Sequence, residues 1–370
     1  MKQLPGVRQD VYHVNAYVPG KTIEEVRREY DLDDVIKLGS NENPYGPYPG
    51  ARKAMLEAVE SINIYPETTF LRLKTSIASV YGLGPENVAI GHGAGGVLET
   101  VAKTFLGPKD HVLIPRETYG LYKEISRLLG AEVQRIGLTP EYRVDVPGII
   151  DAIRPNTKLV WLCNPNNPTG TVVDPADIDR LLEALPSTGW LILDEAYAEF
   201  ASEEELPDRR RLIESGARIV AVRTFSKAYA LAGARIGYAL GMPDLIQALD
   251  TVAEPFNANR VGLVGAHAVL TEDREHVSEA VRRIRESRIR LEGALRARAW
   301  RVVAGRANFV FAVLPDSEPR GATEFALALL KRGVILRSAE GWGYPRGLRI
   351  SVGTPEEIER LLKEVDALNG

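Results

Sequence analysis

From about residue 50 the chain alternates helical stretches with short apolar runs, and a polar or glycine-rich cluster ends most of the runs. The runs are Asn87-Val88-Ala89-Ile90, His111-Val112-Leu113-Ile114-Pro115, residues 132–136, Leu159-Val160-Trp161-Leu162-Cys163, Trp190-Leu191-Ile192-Leu193 and Arg218-Ile219-Val220-Ala221-Val222. Trp190–Leu193 is apolar without alternation, the pattern of a strand covered on both faces. Helical stretches are predicted over 51–60, on to Tyr81, after Gly91–Gly96, from Thr118, around 146–153 and near 175–185. In the third of these Val97, Leu98, Val101, Phe105 and Leu106 fall on one face. Such alternation predicts an α/β fold, a mostly parallel sheet with helices on both sides. Ligands of these sheets sit beyond the carboxyl ends of the strands.

That rule sorts the polar residues. Asn167, in Asn164-Pro165-Asn166-Asn167-Pro168-Thr169-Gly170, follows one run; Asp194, in Asp194-Glu195-Ala196-Tyr197, follows the next; Lys227 follows the last. The three should converge on one crevice. A lysine amine of lowered pKa can form a Schiff base with an aldehyde, and the neighbouring Thr224, Ser226 and Arg235 offer donors to a phosphate. Pyridoxal 5′-phosphate carries both groups. The turn Gly91-His92-Gly93-Ala94-Gly95-Gly96 reads either as tight strand-to-helix packing or as backbone N–H groups aimed at an anion.

The totals narrow the classes. The 370 residues suffice for two domains, and 45% apolar with 26% charged residues is an ordinary soluble composition. Forty-six basic against fifty acidic residues give a net charge of −4, so no bulk field favours nucleic acid or a membrane as partner. One cysteine excludes an intrachain disulfide, and the five histidines have no metal-ligand spacing. No signal-like N-terminus and no membrane-length apolar run are present, so the expectation is a soluble protein of the cytoplasm.

Around the repeats lie three further regions. Residues 1–50 read as an arm, with Thr22 capping a helix and Glu25 three residues on; the proline-rich stretch Lys37–Pro49 reads as a surface connection or a site wall. Residues 51–264 form the predicted large domain. Residues 265–370 form a smaller α+β domain: a helix over Asp273–Arg298 with arginines and glutamates interleaved, strands over Asn308–Val313, Gly333–Arg337 and Leu348–Val352, and a closing helix over Pro355–Leu368. In the last strand Leu348, Ile350 and Val352 share one face, and spacing alone makes Arg349 a rim charge.

The stretches Ser40-Asn41-Glu42-Asn43-Pro44, Asn164–Gly170, Asp194–Tyr197, Ser226-Lys227-Ala228 and Leu348–Thr354, in this order, resemble the fold-type I aminotransferases. Within them the chain is similar to the histidinol-phosphate aminotransferases over nearly its whole length. The resemblance implies a large domain with a mostly parallel seven-stranded sheet, a smaller α+β domain, pyridoxal 5′-phosphate as cofactor and a homodimer. It implies Lys227 as the covalent anchor and proton carrier, and Asp194 opposite the pyridine nitrogen. Asn167 and Tyr197 would lie at the phenolic oxygen, with Tyr119 stacked on the ring. The phosphate would be held by Gly93, Ala94, Gly95, Thr224, Ser226 and Arg235, with Tyr65 reaching the phosphate of a partner subunit. Arg349, with Arg337 and Tyr17, would receive the anionic group of the substrate, which reverses the rim reading. Two departures stand out: Gly95-Gly96 occupy positions where the family commonly has an acidic pair, and Arg116-Glu117-Thr118-Tyr119 replaces its short Pro-Thr-aromatic turn. The activity implied is transamination between histidinol phosphate and 2-oxoglutarate. An aromatic amino-acid aminotransferase and a threonine-phosphate decarboxylase-like lyase share the same cofactor residues.

Overall fold

The computed structural model describes residues 3–16 and 19–369 of the chain. The strands are β1 (Ile36–Lys37), β2 (Val88–His92), β3 (His111–Pro115), β4 (Glu132–Ile136), β5 (Thr157–Cys163), β6 (Trp190–Asp194), β7 (Ile219–Thr224), β8 (Ile236–Leu240), β9 (Arg301–Val302), β10 (Phe309–Val313), β11 (Val334–Ile335), β12 (Arg337–Ser338) and β13 (Gly347–Ser351). Seven of them form the main sheet in the order β2-β8-β7-β6-β5-β3-β4. Only β8 runs antiparallel to its neighbours, so the expected mostly parallel, seven-stranded α/β sheet is what the chain forms.

The continuous apolar runs feed two cores at once. Along β5, β6 and β7, Leu159, Trp161, Cys163, Ile192, Val220 and Val222 pack into one cluster. Their neighbours Val160, Leu162, Leu191, Leu193, Ile219 and Ala221 pack into the other. Successive side chains of a strand point to opposite faces, and helices cover both, so every position is apolar. Trp161 is fully buried and stacks on Tyr122 with ring centroids 5.3 Å apart and planes 7° from parallel. Trp161→Ala should lower the free energy of unfolding by about 3–5 kcal/mol, read as a lower urea midpoint at unchanged slope.

At the carboxyl edge, Glu195 turns away from the crevice side into a buried ion cluster. Its carboxylate accepts from Arg209 Nε and pairs with Arg223 Nη1 (3.5 Å), while Arg223 Nη2 donates to Glu199 (2.7 Å). Glu195 is fully buried and Arg223 is 5% exposed.

The rest of the chain builds a second sheet, β12-β13-β10-β9, and a two-stranded pair of β1 with β11. The predicted cap is present: Thr22 Oγ1 accepts from the Glu25 N–H (3.2 Å), and the Glu25 carboxylate accepts from the Thr22 N–H (2.7 Å). Three features differ from the sequence reading. Gly333–Arg337 is not one strand, because Val334 and Ile335 pair with β1 while Arg337 pairs with β13. Strand β8 and the helices Pro243–Val252 and Arg260–Thr271 were not foreseen. The latter helix crosses the expected boundary at 264/265 and packs against the helices Pro49–Val59 and Leu71–Tyr81. Among the described residues no helix is long and apolar enough to cross a membrane.

Candidate active site

Parallel pairing aligns the ends of β5, β6 and β7: Cys163 lies opposite Asp194, and Asp194 opposite Val222. The loops that leave these ends open into a cavity of about 860 Å³. Asn167, Asp194 and Lys227 all line it, as the strand-end rule predicts.

Asp194 is 3% exposed and accepts from the Tyr122 hydroxyl (2.6 Å) and the Ala196 N–H (3.1 Å). Burial pushes its pKa up to about 6 and the adjacent Glu195 adds to this, while the Tyr122 and Ala196 hydrogen bonds and Lys227 pull it down. Lys227 Nζ donates to the Ser40 carbonyl (3.2 Å) and lies 5.8 Å from the Tyr197 ring centre. Its surroundings lower its pKa to about 8: loss of water first, then the charges of Arg349 and Arg235, with Glu42 and Asp194 opposing. An amine so tuned carries a substantial neutral fraction at physiological pH.

Tyr197 is buried, and its hydroxyl accepts from Asn41 Nδ2 (3.1 Å) and Asn167 Nδ2 (3.4 Å). Burial raises its pKa, so the phenol stays protonated. Asn167 Oδ1 accepts from Arg349 Nη1 (2.7 Å), and Arg349 Nη2 donates to the Gly39 carbonyl (2.7 Å). Arg349 is 7% exposed and lines the cavity, which corrects the rim reading. Both faces of β13 are covered, so alternation could not say which one held the cleft.

A polar cup lies where β7, β8 and the helix Gly93–Phe105 meet. Thr224 Oγ1 donates to Ser226 Oγ (2.8 Å), the Ser226 N–H donates to Thr224 Oγ1 (3.1 Å), and Arg235 Nη1 donates to Ser226 Oγ (3.3 Å). Gly93 has φ +67°, and a Cβ there would lie 2.4 Å from Arg235 Nη2. A Cβ on Gly237 would lie 2.4 Å from the Ala94 nitrogen. Glycine therefore lets the helix start press against the β8 backbone and leaves the arginine beside it. Ala94, Gly95, Thr224, Ser226 and Arg235 line the cavity, and the first helical turn holds no acidic residue.

Tyr119 and Arg337 also line the cavity, and Tyr119 meets Tyr122 edge-on at 5.6 Å. Arg337 lies directly opposite Arg349 in the β12–β13 register. Tyr65 is not brought to this cavity; it is 74% exposed and stacks on Phe256 at 4.4 Å. Tyr17 lies outside the described residues. Sequence reasoning assigned no role to Tyr122 or Trp342, and it weighed Ser40 and Asn41 only as part of a possible wall. Tyr119 precedes the helix Leu121–Leu128 that carries Tyr122, so helical spacing does not link the two.

The donor set fits one kind of small molecule. An amine of lowered pKa, a buried carboxylate and a cup of hydroxyls, guanidinium and helix start match an aldehyde, a basic ring nitrogen and a phosphate.

The comparisons with known proteins agree with this geometry. The histidinol-phosphate aminotransferase of Symbiobacterium thermophilum is 38% identical over 368 residues, covering 99% of each chain. That of Moorella thermoacetica is 37% identical over 366 residues, covering 98% of this chain and 93% of the relative. Histidinol-phosphate aminotransferase from Sinorhizobium meliloti, solved in complex with pyridoxal-5′-phosphate, superposes with a TM-score of 0.87 at 27% identity over 99% of both chains. The aspartate aminotransferase of Thermus thermophilus with maleate shares the fold, at a TM-score of 0.84 and 22% identity over 98% of this chain and 99% of that one. The model of aminotransferase class I and II matches residues 33–365, and the chain belongs to that family.

Proposed function

We propose that the protein is a pyridoxal 5′-phosphate-dependent aminotransferase that moves an amino group between histidinol phosphate and 2-oxoglutarate. The observation that carries the substrate class is the arginine pair. Arg337 and Arg349 face each other across paired strands in the same cavity as Lys227 and Asp194. Like charges directly opposite are unfavourable on their own, and a doubly anionic group between them turns the repulsion into two charge-assisted contacts. Relatives named as histidinol-phosphate aminotransferases support a phosphorylated donor.

Pyridoxal phosphate, when bound, supplies an electron sink for the bonds at the amino-bearing carbon of the substrate. Lys227 would hold the cofactor by its aldehyde and, when free of it, would carry a proton to and from the substrate carbon. Asp194 holds a proton on the pyridine nitrogen, since an ionised carboxylate favours the charged ring. Tyr197, kept protonated by its burial, and Asn167 donate to the phenolic oxygen. Tyr119 covers the ring face. Gly93, Ala94, Gly95, Thr224, Ser226 and Arg235 hold the phosphate. Arg349, oriented by Asn167 and Gly39, receives the substrate anion together with Arg337 and Tyr17.

Tyr65 extends to the phosphate of a second copy, so the working unit is a homodimer. Exposed Ile62, Ile64, Tyr65 and Phe256 support this reading. The division into an arm to residue 50, a large domain to 264 and a small domain after it, and a cytoplasmic setting, belong to the same proposal.

A donor panel under single-turnover conditions tests it. Histidinol phosphate should discharge the aldehyde absorbance of the bound cofactor with a kcat/KM at least about tenfold above phenylalanine, the order expected from one extra charge-assisted contact. A phenylalanine preference points to an aromatic aminotransferase, and carbon dioxide release from threonine phosphate to a lyase. Either outcome overturns the proposal.

A further inference from the structure

The turn that joins β12 to β13, residues 339–346, is closed by its own backbone. The Ala339 N–H donates to the Gly347 carbonyl (2.8 Å), the Gly347 N–H to Tyr344 (2.9 Å), the Trp342 N–H to Ala339 (3.0 Å) and the Gly343 N–H to Glu340 (2.8 Å). Gly343 takes φ +92°, which a side chain would oppose. At the apex stands Trp342, half-buried and lining the cavity. The same hairpin that sets Arg337 opposite Arg349 thus carries an indole beside both. Their guanidinium carbons lie 5.9 and 5.6 Å from its ring centre. The ring face attracts each cation.

The edge of the indole makes a second connection. Trp342 Nε1–H donates to the Thr118 carbonyl at 2.8 Å. Thr118 directly precedes Tyr119, and its hydroxyl donates to Asn166 Oδ1 (2.7 Å), while Asn166 Nδ2 donates to the Glu117 carbonyl (3.0 Å). One side chain therefore links the strand pair that bears the arginines to the loop that bears Tyr119, and that loop is tied to the segment that bears Asn167. The indole is half-buried and also packs against the small cluster of Val303, Phe311 and Ala339, which fixes its position.

We infer that Trp342 is the positioning residue of the anion end: its face aligns Arg337 and Arg349, and its N–H fixes their distance from the cofactor side of the cavity, which selects donors with a terminal phosphate. The inference rests on the arginine pair being the anion receptor. It assigns Trp342 no part in the bond-making steps. Its loss should weaken donors that carry the anion and spare those that lack it. A residue needed only for folding would affect both alike.

The test uses the cofactor-loaded enzyme, with Trp342→Phe and Trp342→Leu. Trp342→Phe keeps a ring face and removes the N–H; Trp342→Leu removes both and stays apolar. Calorimetric titration with inorganic phosphate should show affinity about fivefold lower for Trp342→Phe, the equivalent of one neutral hydrogen bond. For Trp342→Leu the loss should reach about thirtyfold, as both cation contacts go too. KM for histidinol phosphate should rise in the same order, while kcat/KM for unphosphorylated histidinol should change by less than about twofold, well below the effect of one lost contact. The inference is overturned if the wild-type holoenzyme binds no phosphate, if both variants bind it as well as wild type does, or if the two donors lose activity in parallel. Phosphate binding that depends on Trp342 in an enzyme that does not turn over histidinol phosphate would leave this inference standing and remove the proposed substrate.

Discussion

Lys227→Ala should lower kcat by about four orders of magnitude, the upper range for loss of a positioned proton carrier. Two functions disappear together, because the same Nζ anchors the cofactor and carries the proton. Among the described residues Lys21 is the only other lysine lining the cavity, and it is paired with Glu29. The fold should survive, since among the described residues the Nζ makes a hydrogen bond only to the Ser40 carbonyl, at 3.2 Å. Borohydride treatment supplies the second readout. It should fix the cofactor irreversibly to the wild-type chain and leave it removable from the variant; fixation in both would refute the assignment.

The second large effect is expected at Asp194. Asp194→Asn should reduce kcat by about 10²–10³, the scale seen when one preorganised electrostatic partner is removed. An amide keeps the shape and can still accept from the Tyr122 hydroxyl, but it cannot hold a proton on the pyridine nitrogen. The pH dependence of cofactor uptake by the empty enzyme gives the matching signature. Asp194 titrates at about 6 and must be ionised; Lys227 titrates at about 8 and must be neutral. Uptake should therefore accelerate with rising pH through two steps, near 6 and near 8. Asp194→Asn should erase the lower step and leave the upper one. The signs follow for stability as well. Asp194 has a raised pKa, so its contribution is present below the ordinary aspartate value of 3.8 and is lost as pH rises through about 6. For Lys227 the pKa is depressed, so stability is lost as pH falls from the ordinary lysine value of 10.5 through about 8. At neutral pH Asp194 is mostly ionised and Lys227 still mostly protonated, so the empty site keeps both buried groups charged at a cost in stability.

Much of this site could be read in advance because the strands are so apolar. Runs such as Leu159–Cys163 and Trp190–Leu193 leave the next polar residue little choice but the carboxyl edge, which is why Asn167, Asp194 and Lys227 emerge together. Strand β8 escaped because only the three-residue 3-10 turn Ala232–Ala234 separates it from the Lys227 cluster, and an antiparallel return without an α-helix breaks the strand–helix rhythm. Two-residue strands such as β1, β11 and β12 are shorter than any period that could reveal them. Arg349 was beyond spacing for another reason: every residue of β13 is buried, so polarity does not mark the cleft side. Only the resemblance implied a place in the site, and the structure sets the side chain in the cavity with a hydrogen bond to Asn167. Trp342 lies in a turn without periodicity, and its partner Thr118 is 224 residues away in sequence, so local sequence carries no sign of its role.

The ion cluster around Glu195 has one more consequence. Asp194 and Glu195 are consecutive carboxylates of nearly the same chemistry, and a slip of one residue in β6 would bring Glu195 into the place of Asp194 and Ala196 into that of Glu195. Arg209 and Arg223 make that frame-shifted pairing costly, since alanine would leave their guanidinium groups without a partner. Arg223 also directly precedes Thr224, so the clamp indexes the end of β7 against the end of β6. What looks like a remote structural salt bridge acts as the reading frame of the sheet, deciding which of two adjacent acids the chain presents.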